Sequence, residues 1–317
     1  MIKKRKLVLV GTGFVGMSMA YSLLNQGGID ELVLIDIDKE KAEGEAMDLS
    51  HGIPCSTNEI EIYAGDYSDC KDAGIVVITA GIAQKQNQTR LELAKTNSKI
   101  VKQITQSVVS SGFNGIFLIA SNPVDLMTYV VQKVSGFSTQ KVIGSGTVLD
   151  TARLRYLIGK HLNVSTKNVH AYILGEHGDS SFVSWSNSYV GCKTLQEIML
   201  DNGQDLIDLD NIYTEVQQAA YEIINRKKAT YYGIGLALTK LVKAIFNNEN
   251  GIYTISTYLT GEYGQSDIYI GVPAILNENG ASDILELNLS QEEQNSLNRS
   301  ADVLRSMKKE IDEAINE

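Results

Sequence analysis

The sequence predicts an α/β protein, with a doubly wound and mainly parallel sheet over residues 1–144 and a smaller α+β domain over 145–317. Three observations carry this expectation. Short, wholly apolar runs alternate with helical patterns through the first half, as strands buried on both faces alternate with their crossover helices. The first of these runs opens directly into a glycine-rich loop and then a helix. Near Ser145 the alternation stops, and one helix, a strand, a long helical region, a hairpin-like stretch and a closing helix follow. No linker rich in proline or glycine separates the halves, so the boundary is a change of pattern only.

The first strand is Leu7–Val10, and it runs into Gly11-Thr12-Gly13-Phe14-Val15-Gly16. A helical pattern through Ala20, Leu23 and Leu24 ends at Gly27-Gly28. The next strand, Leu32–Ile35, ends at Asp36. Each part has a physical task. Gly11 permits the tight turn, Gly13 lets backbone approach a pyrophosphate, and Gly16 lets helix and strand pack closely. The helix N-terminus offers partial positive charge to phosphates. Asp36, 20 residues beyond Gly16, can accept hydrogen bonds from a ribose diol and would repel a 2′-phosphate. A glycine loop alone is a weak signal; strand, loop, helix, strand and acid in this order predict a Rossmann-type dinucleotide site that prefers NAD to NADP.

The alternation continues with strands at Glu59–Ala64, Gly74–Thr79, Gly115–Ala120 and Lys141–Ile143, and helices at Leu91–Ser111 and Val124–Val134. In such sheets ligands bind beyond the carboxyl ends of the strands. The loops leaving those ends are Gly11–Gly16, Gly81–Arg90 and Ser121-Asn122-Pro123. Gly81–Arg90 is long and polar, as expected of a lid or, equally, of an ordinary surface connection.

Composition narrows the partners. An apolar content of 43% and a charged content of 21% fit a globular chain and argue against disorder. The formal charge of −10 argues against nucleic acid. The short basic run Lys3–Lys6 reads as a solvated start. No apolar run reaches the roughly 20 residues of a membrane helix, and no secretory segment follows Met1. Cys55, Cys70 and Cys192 are odd in number and lack metal-ligand spacing, which fits a reducing cytoplasm and no metal.

In the second half, Thr147–His161 reads as a helix with Asp150 and Arg153 on one face, because i and i+3 are neighbours. Arg155 lies roughly 200° around from Arg153, so one arginine can face a buried site while the other faces outward. Val169–Leu174 reads as a strand leading into Leu174-Gly-Glu-His-Gly-Asp-Ser180. His177 stands at its centre, with small neighbours that admit another molecule, and histidine is the side chain best suited to proton transfer near neutral pH. Ile212–Phe246 is helical with an interruption at Thr230–Gly233, Gly251–Tyr269 has hairpin composition, and Gln291–Asn316 is an amphipathic helix.

These residues together resemble the lactate/malate dehydrogenase family, in particular its bacterial lactate branch. The matching motifs are Gly11–Gly16 with Asp36, Ala80-Gly81-Ile82-Ala83-Gln84, Thr89-Arg90-Leu91, Ser121-Asn122-Pro123-Val124-Asp125, Leu149-Asp150-Thr151-Ala152-Arg153, Gly175-Glu176-His177-Gly178-Asp179 and Ala229-Thr230-Tyr231-Tyr232. They span nearly the whole chain in the family's order. The resemblance implies NAD as cofactor and a 2-oxo acid as substrate. It implies that His177 gives the proton, Asp150 orients the imidazole, Arg153 grips the substrate carboxylate and Arg90 polarises the carbonyl. Asn122 and Thr230 then line the substrate pocket. Gly11, Gly13, Phe14, Val15, Gly16, Asp36, Lys41, Tyr67, Gly81, Ile82, Ala120, Asn122 and Ser145 line the cofactor groove, although Lys41 reads equally as a solvated residue and Tyr67 as a packing residue. The family also implies a homotetramer.

Gln84 stands where malate dehydrogenases carry an arginine for a second carboxylate. With a neutral side chain there, a dicarboxylate buries an unpartnered charge at a cost of about 3–5 kcal/mol, so pyruvate is favoured. Arg155 and His170 stand where allosteric bacterial members bind fructose 1,6-bisphosphate; a structural histidine and a surface arginine are the plainer alternative. Two departures stand out: Gln86-Asn87-Gln88 replaces the usual Pro-Gly-Glu of the lid, and Lys228 replaces a glycine. The competing readings are a dehydrogenase for longer acids of the 2-hydroxyisocaproate type, and a non-catalytic NAD-binding protein on the same fold.

Overall fold

The apolar runs of the first half lie side by side. A computed structural model describes residues 4–82, 89–201 and 207–316. In it β1 (Lys6–Val10), β2 (Glu31–Ile35), β3 (Glu61–Ala64), β4 (Ile75–Ile78), β5 (Ile116–Ile119) and β6 (Val142–Gly144) form one parallel sheet in the order β3-β2-β1-β4-β5-β6. The register aligns Val8 with Val33 and Val76, so like residues stack across the sheet. Successive side chains point to opposite faces. Val8 and Val10 therefore enter one core, and Leu7 and Leu9 the other.

Helices α1 (Phe14–Gln26) and α2 (Lys39–Gly52) cover the Leu7 face, and α3 (Arg90–Ser110) and α4 (Val124–Ser135) cover the Val8 face. Helix α2 has no strong sequence pattern. It forms because Asp38 caps it, accepting from the Lys41 amide at 3.1 Å, and because a narrow stripe of Ala42, Ala46 and Leu49 is buried.

The second half begins with α5 (Val148–Leu162). The run expected as a single strand, Val169–Leu174, is two. β7 (Val169–His170) pairs with β10 (Tyr189–Val190), which also pairs with β11 (Lys193–Thr194); β8 (Ile173–Leu174) pairs with β9 (Phe182–Val183). Side chains of α5 and of its N-cap Thr147 take backbone groups at the break: Arg155 Nε donates to the Ala171 carbonyl at 3.0 Å, Ile173 N–H donates to Thr151 at 3.0 Å, and Thr147 donates to the Ile173 carbonyl at 2.5 Å. These bonds occupy groups that a continuous strand needs for its ladder.

Helices α6 (Leu195–Asp201), α7 (Ile207–Lys227) and α8 (Tyr232–Phe246) follow, then β12 (Gly251–Thr260), β13 (Ser266–Asn277), β14 (Gly280–Ile284) and α9 (Gln291–Asn316). The expected hairpin is thus a three-stranded meander reaching Ile284. It does not stand apart: β12 joins β6 antiparallel through Ser256 and Gly144, extending the sheet to nine strands. α8 packs on the Leu7 face and α9 on the Val8 face. Among the described residues no helix is long and apolar enough to cross a membrane.

Lys228, the second departure noted above, is exposed at the end of α7 with φ +71°. A side chain in the left-handed region costs about 1–2 kcal/mol, and glycine there gives back about 0.5–1 kcal/mol as backbone entropy. Lys228→Gly should therefore raise stability by about 0.5–1 kcal/mol. A urea unfolding curve reads this, and a lower midpoint would show that Lys228 makes contacts that stabilise the fold.

Candidate active site

The glycine loop after β1 has the shape its residues demand. Gly11 turns with φ +105°, and a Cβ there would lie 2.6 Å from the Ala80 amide nitrogen. A Cβ on Gly16 would lie 2.3 Å from the Gly11 carbonyl oxygen, so helix and strand meet only because the side chain is missing. Gly13 differs: nothing lies within 4 Å of its Cβ position. It is the N-cap of α1 and no side chain caps the helix, so the approach to the first helical amides is unobstructed. Asp36, at the end of β2, accepts from the Thr12 amide at 2.7 Å and the Thr12 hydroxyl at 2.8 Å. Burial works to raise its pKa, but these donors and the Asp38 amide outweigh it and hold the carboxyl low, so it is ionised at neutral pH. The cradle fits a pyrophosphate over Gly13 and a ribose diol at Asp36.

The other expected groove residues surround this loop. Val15 is half-buried, and Phe14 is 71% exposed but stacks on Tyr231 at 5.1 Å, tying the glycine loop to the segment that carries Thr230. Ala120 and buried Ser145 follow β5 and β6 at their carboxyl ends, and Gly81 and Ile82 follow β4. Tyr67 is half-buried against the core, whereas Lys41 is exposed in the first turn of α2. A residue that sequence reasoning passed over, Asn97 of α3, is buried and fixes two of these loops. It accepts from the Ile82 amide at 2.9 Å and donates to the Asn122 carbonyl at 2.7 Å. A buried asparagine on the apolar side of a long helix was the available signal.

The catalytic candidates converge where α5 meets the loop after β8. Asp150 and Arg153 lie in the first turns of α5 with an Oδ1–Nη1 distance of 3.0 Å. Gly175, at φ +100°, exchanges two backbone hydrogen bonds with Gly271 of β13 and so pins the loop to the sheet. His177 Nδ1 then lies 2.7 Å from Asp150 Oδ2. An ionised carboxylate only accepts, so Nδ1 carries the proton and Nε2 is the atom left to react. The His177 side chain keeps 31% of its surface, open to a cleft of about 140 Å³. Arg153, Gly178, Val216, Gln217, Ala220 and Tyr221 share that cleft.

The electrostatics follow from this packing. Burial pushes His177 toward the neutral form, but Asp150 outweighs it by charge and hydrogen bond, and Asp125 adds to the effect; the net pKa is raised. Burial likewise opposes ionisation of Asp150, yet His177 and Arg153 hold it below the usual carboxylate range. The site thus keeps an acid with a proton available near neutral pH.

Other expected site residues lie outside this cluster. Arg90 is not on the loop but is the first residue of α3, because Thr89 and Glu92 form a capping box around that turn. Its guanidinium sits 2.6 Å from Glu176 Oε1 and donates to the His177 carbonyl at 3.0 Å. Thr230 is half-buried in the break between α7 and α8; the cleft wall comes from α7. Gln84 and the rest of the lid at Gln86-Asn87-Gln88 lie outside the described residues, as does Lys3. Arg155 and His170 sit on the far side of α5 and on β7, away from the cleft. Arg155 stacks over Tyr172 at 4.9 Å, and His170 is exposed.

Comparison with known proteins agrees with this geometry. The model of the lactate/malate dehydrogenase NAD-binding domain matches residues 5–144, and that of the lactate/malate dehydrogenase α/β C-terminal domain matches residues 147–315. L-lactate dehydrogenase 2 of Bacillus anthracis is 53% identical over 301 residues, covering 95% of this chain and 96% of the relative. L-lactate dehydrogenase 1 of Bacillus cereus matches at the same identity and coverage. Among solved structures, MGS-M5, a lactate dehydrogenase from a Medee basin deep-sea metagenome library, superposes with a TM-score of 0.96 at 54% identity, covering 98% of this chain and 100% of that one. The ligand-bound minor L-lactate dehydrogenase from Enterococcus mundtii gives 0.95 at 48% identity, covering 97% and 98%. With the family's models matching both halves of the chain and relatives 53% identical over 95% of it, this chain belongs to the lactate/malate dehydrogenase family.

Proposed function

We propose that this chain is an L-lactate dehydrogenase that reversibly reduces pyruvate to L-lactate with NADH, residues 1–144 holding the cofactor and 145–317 supplying the chemistry. The observation that carries the proposal is one carboxylate, Asp150, gripping both His177 and Arg153 at the edge of a small cleft. Bound NAD supplies or accepts the hydride. The chain does the rest. Arg153 holds the substrate carboxylate through paired charge-assisted hydrogen bonds. His177 gives its Nε2 proton to the carbonyl oxygen as charge develops there, and Asp150 stabilises the imidazolium before that transfer. Arg90 polarises the same carbonyl once it leaves Glu176, and Asn122 and Thr230 complete the pocket. Gln84 excludes a second carboxylate. Steady-state rates test the proposal: NADH with pyruvate should exceed NADPH with pyruvate, oxaloacetate and 2-oxoisocaproate. Equal kcat/KM for pyruvate and oxaloacetate would refute it, and a preference for the branched acid would favour the longer-chain reading.

Three finer readings accompany this one. Arg155 and His170 form an activator site for fructose 1,6-bisphosphate, supported by the bond of the Arg155 guanidinium to the carbonyl of Ala171, the chain neighbour of exposed His170. The sugar bisphosphate should lower KM for pyruvate, and Arg155→Gln should abolish that response; an unaltered saturation curve removes the site. The chain self-associates as a homotetramer, supported by exposed Phe14 and Tyr21 on α1 beside exposed Tyr232 and Leu236 on α8. Sedimentation of a monomer would contradict this. A cytoplasmic place in glycolysis and fermentation follows from the reaction and from Cys55, Cys70 and Cys192 all being free thiols; cell fractionation checks it.

A further inference from the structure

The carboxylate of Asp125 is buried against the catalytic loop and was given no step in the reaction above. It is the second residue of α4, just after the cis Asn122–Pro123 bond, and 1% of its surface is exposed. One oxygen accepts from the His177 backbone amide at 2.9 Å, and the other accepts from the Ser256 hydroxyl at 2.6 Å. Ser256 is itself fully buried on β12, opposite Gly144. One side chain therefore joins the first helix after the cofactor loops, the catalytic loop and the strand that joins the two halves of the sheet.

Both donors are neutral. An asparagine would satisfy the amide through its carbonyl oxygen and the hydroxyl through its NH₂ group, without the several kcal/mol that burying a carboxylate costs. The negative charge thus needs a different justification. The charged groups that face it are the His177 imidazole, which favours its ionised form, and Glu176 on the same loop, which opposes it. Asp150 approaches the imidazole from the α5 side, and Arg153 beside Asp150 works against the imidazole's protonation.

We propose that Asp125 is a second positioning carboxylate for His177: it fixes the loop through the backbone amide, and its charge favours the protonated imidazole until the proton passes to the substrate carbonyl. The inference rests on His177 being the acid of the proposed reaction. Burial raises the Asp125 carboxyl to about 6, below neutral pH, so the charge is present at neutral pH and above.

The test compares wild type with two neutral variants, Asp125→Asn and Asp125→Ser, and with Ser256→Ala, which keeps the charge. The readout is the pH profile of kcat/KM for pyruvate at saturating NADH. The alkaline limb should move to lower pH by about one unit in both neutral variants and stay in place in Ser256→Ala. A limb that stays put in the neutral variants, or a uniform loss at every pH, overturns the charge role and leaves a purely structural bond. NMR titration of the His177 imidazole in the same proteins reads the same shift without turnover. Failure of wild type to reduce pyruvate would thus count against the reaction, and an unshifted imidazole against Asp125.

Discussion

Replacing His177 by asparagine is expected to lower kcat for pyruvate reduction by about 10²–10⁴-fold, the range of one lost general acid. NADH binding, followed by fluorescence, should be unchanged, because the glycine cradle and Asp36 lie on the other half of the chain. Asp150→Asn should also be severe. The amide can still meet Nδ1, but it removes the charge that outweighs burial of the imidazole and turns one of Arg153's partners neutral. The pH dependence has a definite sign. The His177 pKa is raised above its ordinary value, so pyruvate reduction, which needs the protonated ring, persists to higher pH than an unperturbed imidazole allows and declines as pH rises through that pKa. Lactate oxidation needs the neutral ring and should rise over the same interval. A profile in which both directions decline together above neutrality would contradict the assignment of His177 as the proton carrier.

Gln84→Arg is expected to change what the enzyme accepts. In the role proposed for Gln84, a second substrate carboxylate is left unpaired at a cost of about 3–5 kcal/mol, and an arginine would remove that cost. At 1.4 kcal/mol per tenfold, the ratio of kcat/KM for oxaloacetate to that for pyruvate should rise by about 10²- to 4 × 10³-fold. The same substitution leaves pyruvate with an unpaired buried guanidinium, so pyruvate reduction should fall. Steady-state kinetics on the two acids measures both changes. A ratio that moves less than tenfold would place substrate selection elsewhere, with Gln217 and Tyr221 of α7 as the next residues to replace.

Much of the architecture was legible because the parallel strands are buried on both faces and read as unbroken apolar runs. Gly11, Gly13 and Gly16 were legible too, since their spacing reflects a turn, an approach and a contact that side chains forbid. Helix α2 escaped because its buried face is only Ala42, Ala46 and Leu49 within a charged segment. The split of Val169–Leu174 escaped because the competitors for its backbone groups, Thr147, Thr151 and Arg155, come from another element. The hairpin stretch Gly251–Tyr269 fell short of β13, which runs on to Asn277 with Pro273 opposite Thr254 within the sheet.

At the site, Asp150 and Arg153 were legible as helix neighbours, and His177 was legible from its small flanking residues. Their convergence on one carboxylate was not, because 27 residues separate His177 from Asp150 and only the packing of the β8 loop on α5 brings them together. Asn97 was silent, and Asp125 was quoted only as the end of a motif without a role, for the same reason: each acts through backbone groups remote in the chain. The pairing of Arg90 with Glu176 depends on where α3 begins, a boundary set by the Thr89–Glu92 capping box.

The central claim is that Arg153 and His177 hold opposite ends of one small 2-oxo acid. A crystal structure with NADH and oxamate, an unreactive amide isostere of pyruvate, tests it most directly. The account predicts the oxamate carboxylate in a two-pronged contact with Arg153 and its amide carbonyl oxygen within hydrogen-bond distance of His177 Nε2. Oxamate bound with its carboxylate away from Arg153, or its carbonyl beyond reach of His177, would contradict it.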